Sequence, residues 1–297
     1  MIDLGTVPVG HTLPSAALGV DEMDFLVDEL SIAELPVVLD VFPRFDDAKA
    51  RDRAVDRGRQ ALAAARLWDG SAVHEDVRHW LRVLEQPRWY VSARQFEGDT
   101  VPVTRICIAS DDTIAVSAVR RENIVTLRVI AGDPARDLVS SLGSAPPFDP
   151  GSINAPTDLL AEALDAAPSD VGGTASRLRS IGIADDRALT LASAMATCAG
   201  RTEITAVTRR HGTRRGAGRP VALFDTRAGR IVATSTVAAD GRSWSSLTGA
   251  SDHRVTAALT ELISSAKDPA TTNPATTNPA TTNPATTNPA IGNPAIS

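Results

Sequence analysis

Gly229 to Ile263, GRIVATSTVAADGRSWSSLTGASDHRVTAALTELI, reads as strand, turn, strand and helix in one unbroken run. Ile231, Val232, Thr234, Thr236 and Val237 are β-branched, and Asp240-Gly241 suits the left-handed backbone of a tight hairpin turn. After Gly249, Ser251 or Asp252 can cap a helix whose Val255, Ala258, Leu259 and Leu262 fall at i, i+3, i+4 and i+7. That apolar face needs a sheet to cover, so the stretch predicts a sheet-plus-helix unit.

The same plan occurs earlier in the chain. DTIAVSAVRRENIVTLRVIAGDPARDLVSSL, Asp112 to Leu142, has the same order of strand, turn, strand, Gly-containing bend and helix, with Asp133-Pro134 opening the helix. Before it, the period changes from near 3.6 to 2 between Arg88 and Ile130, which predicts a four-stranded antiparallel meander. Its turns are Glu97-Gly98-Asp99, Ser110-Asp111-Asp112 and Arg120 to Asn123, each short and polar. Helices are expected over Asp21 to Leu30, Ala48 to Trp68 and Val73 to Glu85, and the apolar run Val37 to Phe42 reads as a buried strand ended by Pro43. In the second part, helices are expected at Thr157 to Ala167, Val171 to Ile181 and Ala184 to Ala199. Strands follow at Arg201 to Arg210, Pro220 to Asp225, Gly229 to Val237 and Arg242 to Leu247.

The predicted fold is therefore α+β: two pseudo-symmetric halves, each an antiparallel meander with flanking helices, around a central sheet. The boundaries read as a flexible N-terminus (1–17), an N-terminal half (18–142), a Pro- and Gly-rich linker (143–156), a C-terminal half (157–267) and a tail (268–297). The tail repeats TTNPA four times and ends on IGNPA, a composition that buries too little apolar surface to offset ordering, so it is expected to be disordered.

Composition narrows the function. The chain has 297 residues, 43% of them hydrophobic and 22% charged, with a net charge of −6. An acidic protein of this kind lacks the general basic surface that nucleic acid or anionic membrane requires. The N-terminus has no basic region followed by a long apolar run and no segment is long enough to span a bilayer, so cytoplasmic residence is expected. Cys107 and Cys198 are two isolated thiols in apolar context, neither a metal set nor a disulfide framework.

Catalytic constellations are not found. His74 and His79 sit five residues apart, which turns the second about 140° around a helix, away from a shared metal. Ser251, Asp252 and His253 are consecutive and cannot face one another as a triad; helix capping is the plainer role. Asp111-Asp112 reads as a turn, and no phosphate-cradling Gly-rich loop is present. No enzyme, no metal and no cofactor are expected. The run Arg209 to Arg219, RRHGTRRGAGR, reads as a solvated hairpin loop. It supports an alternative function as a non-catalytic binder of an anionic partner or nucleic acid, although no aromatic residue interleaves for base stacking.

Three segments carry a family resemblance: LGVDEMDFLVDELSIAELPVVLDV near the N-terminus, WDG with HEDVRHWLRVLEQP before the first strands, and GRIVATSTVAADGRSWSSLTGASDHRVTAALTEL. Over about residues 18 to 265 the chain resembles the EspG family of mycobacterial and related actinobacterial type VII (ESX) secretion-associated proteins. The resemblance implies a cytoplasmic chaperone that binds PE-PPE heterodimers, mainly through the PPE subunit, covers its apolar tip and keeps the pair soluble until secretion. It also implies two pseudo-symmetric α+β halves. The sequence leaves open whether the free protein is a homodimer. The hairpin at Phe96 to Val101 is shorter than the long loop of many relatives, and the TTNPA tail has no counterpart in the family pattern. By resemblance the binding groove is placed along the strands of the second half and the last helix, with Ile231, Ala233, Ser235, Trp244, Ser246 and Leu259 as contact residues.

Overall fold

The computed structural model describes residues 12–268 apart from 43, 99, 166, 168 and 211. The 1–11 part of the N-terminus, Asp99 of the first turn, His211 of the arginine-rich run and the TTNPA tail beyond Asp268 lie outside the described residues. The first half runs β1 (Ala16–Gly19), α1 (Val20–Glu29), α2 (Ala48–Ala64), α3 (Glu75–Glu85), β2 (Trp89–Glu97), β3 (Thr104–Ser110), β4 (Ala115–Arg121), β5 (Ile124–Val129) and α4 (Pro134–Ser141). The second half repeats that order: β6 (Ile153–Pro156), α5 (Thr157–Leu164), α6 (Val171–Ser180), α7 (Asp185–Met195), β7 (Cys198–Arg210), β8 (Thr213–Thr226), β9 (Gly229–Val237), β10 (Ser243–Gly249) and α8 (Asp252–Lys267).

All ten strands form one antiparallel sheet in the order β1-β5-β4-β3-β2-β7-β8-β9-β10-β6. Outward from the centre, β2-β3-β4-β5-β1 matches β7-β8-β9-β10-β6, so the predicted duplication is present strand for strand. The two copies meet where β2 pairs with β7, from Trp89↔Thr208 to Glu97↔Gly200. Antiparallel pairing of equivalent strands is what a two-fold relation between the halves requires.

Helices cover the sheet unequally. The first three pack on one face of the first half with Cys107, Ala109, Val116, Ala118 and Leu127 beneath them. Their counterparts α5–α7 pack on the same face of the second half over Ile231 and Leu247. The closing helices α4 and α8 cross the opposite face together, over Val91, Ala93, Ile106, Ile204, Leu223 and Val232. Each location follows from amphipathic spacing: Val255, Leu259 and Leu262 are buried in α8, and Val77, Trp80, Leu81 and Leu84 in α3. Ser251 is the α8 cap, its hydroxyl accepting the Arg254 amide at 3.3 Å.

Four expectations are revised. Val37 to Phe42 is not a buried strand: Val37–Leu39 is a 3-10 turn, Asp40 is left-handed at φ 55°, and Val37 and Phe42 are 58% and 52% exposed. A run of six residues between two prolines has no neighbouring strand to pair with. It is instead held by the Arg120 guanidinium of β4, which donates to the Leu39 carbonyl at 2.9 Å. Residues 143–156 carry β6, the second half's copy of edge strand β1, and Ala16 and Ala17 belong to β1 itself. The helix expected over Ala184 to Ala199 ends at Met195, because Cys198 already begins β7. The Arg209 to Arg219 run is strand rather than loop up to its tip, with Thr208↔Arg215, Arg209↔Arg214 and Arg210↔Thr213 in register.

Arg230 fastens the connection between the halves. Only 7% exposed, it pairs with Asp225 at 2.6 Å and donates to the Gly143 carbonyl at 2.8 Å, while its own amide donates to the Pro146 carbonyl at 2.7 Å. A buried guanidinium needs such a full set of acceptors.

Two outcomes test the helical layer. A Cβ at Gly58 of α2 would lie 2.0 Å from the Asp21 carbonyl oxygen of α1, and backbone cannot rotate away. Gly58→Ala should therefore destabilise by about 1–3 kcal/mol in urea unfolding despite the gain in helix propensity. Asp21 also accepts from Arg57 at 2.7 Å and pairs with Arg44; the Arg57 hydrogen bond, working against desolvation, holds its carboxyl below the usual range. A depressed carboxylate stabilises above its unfolded pKa and loses that contribution as pH falls through its folded one. Asp21→Asn should therefore cost stability at neutral pH, and the gap from wild type should close as pH drops below about 4.

Candidate partner-binding surface

The middle of the sheet is covered on one face only. On β2 and β7, Val91, Ala93, Ile204 and Ala206 point to α4 and α8 and are buried. The alternate residues Ser92, Arg94, Phe96, Arg201, Glu203 and Thr205 point the other way, into the gap between the two three-helix layers, and are half-buried or exposed. A strip of uncovered strands between raised helices makes a trough. One row of its floor crosses five strands, Arg105, Arg94, Glu203, Ala222 and Ala233.

The floor is amphipathic and internally paired. Arg94 meets Glu203 at 2.7 Å, the Ser92 and Thr205 hydroxyls are 2.9 Å apart, and Arg201 sits 4.6 Å from the Phe96 ring centroid. Asp40 reaches Arg105 at 3.3 Å and Arg120 at 3.4 Å. Exposed pairs of this kind add little to stability, so strand register, not ion pairing, sets the surface. The segment holding Val37 and Phe42 packs over β2, β3 and β4 at the first-half rim. Arginine and aromatic groups beside exposed apolar side chains are the chemistry of protein interfaces.

A cavity lies between β8 and β9, lined by α8. It is a cleft of about 550 Å³ bounded by Gly218 to Val221 of β8, Thr234 to Val237 of β9, and Ala258, Glu261, Leu262 and Ser265 of α8. The β7–β8 hairpin rises beside it. In that arm Arg209 donates to the Glu85 carbonyl at 3.4 Å and Arg214 pairs with Glu34 at 2.6 Å.

The six residues singled out from sequence are not brought together. Ile231 and Leu259, each 0% exposed, lie in separate cores on opposite faces of the sheet. Ala233 packs half-buried against the α5–α7 core and closes the trough's cross-strand row, while Ser235 lines the cleft. Trp244 and Ser246, half-buried, alternate to the face opposite Ala233, and Ser246 donates to Asn154 at 3.2 Å. Within β9, Ile231 and Ala233 pack on the face away from α8, whereas Ser235 lines the cleft together with Ala258 and Leu262 of α8. The trough residues Arg94, Phe96 and Glu203 went unnoticed because their signal, opposite charges directly across two strands, needs the β2–β7 pairing to be visible.

Chemistry-bearing groups elsewhere are occupied structurally. Cys107 is fully buried and its thiol is pushed far up by burial; Cys198 is half-buried, raised by burial, and donates to the Gly200 carbonyl at 3.2 Å. His74 caps α3 by accepting the Asp76 amide at 3.2 Å. Among the described residues no three His, Cys, Asp or Glu side chains gather as metal ligands, and no helix is long and apolar enough to cross a membrane.

An open sheet trough with Val37 and Phe42 exposed at one rim offers a broad surface and not an enclosed pocket. The chain belongs to the EspG family, whose family model matches residues 19–261. Its fold is similar to that of EspG5, a type VII secretion system chaperone of Mycobacterium tuberculosis whose structure was solved in complex with the PE25-PPE41 dimer. The two superpose with a TM-score of 0.69 at 19% identity, covering 85% of this chain and 96% of that one. No functionally curated protein matches the chain in sequence.

Burial separates framework from surface, and urea unfolding measures the difference. Ile231→Ala and Leu259→Ala should each cost about 2–5 kcal/mol by opening cavities. Val37→Asp and Phe42→Asp, at exposed positions, should stay within about 0.5 kcal/mol of wild type.

Proposed function

We propose that the protein is a cytoplasmic chaperone of a type VII secretion system that binds a PE-PPE heterodimer, shields the apolar tip of its PPE subunit and keeps the pair soluble for export. The observation that carries this is membership of the EspG family together with the fold that in EspG5 was captured on a PE-PPE dimer. The task is one of covering, so it asks for surface rather than for catalysis.

The trough is the surface proposed for that contact. A helical tip seated there would have Val37 and Phe42 against its apolar side and the paired Arg94 and Glu203 beneath its polar groups. Ala233 lies at the second-half end of the same floor, with Ser235 beyond it. A stable complex of ordinary size buries roughly 1,200–2,000 Å² in total, which needs a surface extending across several strands and both rims. Pre-forming such a surface on a rigid sheet avoids the cost of ordering loops on binding.

The test is co-expression with the PE-PPE pair encoded nearest to it, followed by size-exclusion chromatography. A ternary complex is expected. Val37→Asp with Phe42→Asp should weaken it by at least ~10-fold, since two carboxylates would then face the apolar side of the tip and each tenfold loss corresponds to about 1.4 kcal/mol. Trp244→Ala, on the opposite face, should bind as wild type. Failure of every PE-PPE pair of its organism to co-elute would sink the proposal.

A further inference from the structure

The two halves differ at one seam. In the first half β3 and β4 stay paired from Ser110↔Ala115 to Arg105↔Arg120, nearly their whole length. Their counterparts β8 and β9 part after Ala222↔Ala233. Beyond that point β9 continues to Val237 against β10 alone, and β8 continues back to Thr213 against β7 alone. The cause is local. Ile204 pairs with Val221 but Ala206 pairs with Ala217, so β8 carries an irregularity at Gly218-Arg219-Pro220. Gly218 is left-handed at φ 62°, and Pro220 has no amide to offer β9. The Gly218 backbone lies hard on α8, since a Cβ there would come within 3.0 Å of Leu262 Cδ1 and Ser265 Cβ. The seam is therefore a built opening in a sheet, floored by α8.

Two strand edges face each other across the cleft. By the alternation of an antiparallel ladder, half of the residues Thr234 to Val237 aim N–H and C=O toward the side where β8 has left. Such an edge is a template for another strand. The β8 side is also positive. Arg219 lines the cleft, Arg210 and Arg215 stand exposed on the same arm, and among the described residues none of the three forms an ion pair, unlike Arg214 with Glu34. The α8 side contributes Ala258, Leu262 and Ser265, small or apolar, with Glu261 beside them.

We infer that the β8–β9 cleft binds an extended acidic segment of a partner protein by strand addition. The backbone of the segment pairs with Thr234–Val237, one alternate set of small apolar side chains rests on α8, and carboxylates meet Arg219 and Arg215. Peptide groups match the spacing of a strand edge, and no aromatic side chain lines the cleft to stack a base, so protein rather than nucleic acid is the occupant. This site is distinct from the trough and lies at a different place on the sheet.

The probe is a fluorescein-labelled peptide, Glu-Thr-Val-Asp-Val-Thr-Glu-Ala, titrated by anisotropy against the full-length protein at low salt. Saturable binding is expected. It should weaken at least ~10-fold with Arg219→Glu, with the Gln/Asn version of the peptide, and with proline at alternate positions of the peptide. Backbone amides within Thr234–Val237 should gain protection in hydrogen exchange when the peptide is present. Val37→Asp with Phe42→Asp should leave peptide binding unchanged, which separates this site from the trough. Unchanged thermal unfolding of Arg219→Glu verifies that it folds. Absence of saturable binding, equal binding of the proline-bearing peptide, or equally tight binding of a single-stranded oligothymidine would each overturn the inference.

Discussion

The structure depends on the ladder between β2 and β7. It joins the duplicated halves through a continuous run of backbone pairing, and it places equivalent strands antiparallel about the centre of a ten-stranded sheet. The trough follows from how that junction is covered. The closing helices α4 and α8 meet across one face and seal it with Val91, Ala93, Ile204 and Ala206 beneath them. On the other face each half keeps its own three helices over its own outer strands, and the centre stays open. A duplicated unit whose helices sit away from the junction leaves a trough at the junction.

The trough and the cleft arise from the same duplication in different ways. The trough is symmetric in origin, a consequence of joining two like halves. The cleft is a break of symmetry, where the irregularity at Gly218 to Pro220 drives β8 from β9 while the first half stays closed at the matching place. Pro220 makes the break durable because it has no amide with which to rejoin the ladder, and Gly218 takes at little cost the left-handed backbone that the break requires. Arg230 secures the same half from behind by tying β9 to the connection between the halves.

Much of the framework was legible. Period-2 runs gave the meander β2 to β5 and the strand β9, 3.6-period runs gave α3 and α8, and the order of elements gave the duplication. The misses have physical reasons. Val37 to Phe42 has strand-like composition, but propensity is overridden when no strand edge is within reach, and a guanidinium from β4 held it as a turn. Edge strands β1 and β6 are four residues each and carry too short an alternation to register. The arginine-rich run looked like a loop because charge and glycine dominate it, yet its backbone completes a hairpin.

For the surface, sequence identified which residues are apolar and which alternate, but not which face of the sheet receives a helix. Ile231 and Leu259 look like equally good contact residues in the chain and are both core, since helices from elsewhere in the sequence close over them. The amino-acid sequence by itself determined most of the elements and their duplication, because these rest on local periodicity and residue chemistry. Only the tertiary structure decided where a sheet was left uncovered and where its strands part. The first depends on contacts between residues a hundred or more positions apart, such as Arg94 with Glu203, and the second on the β7–β8 register and the seat of Gly218 on α8, neither of which a local pattern carries.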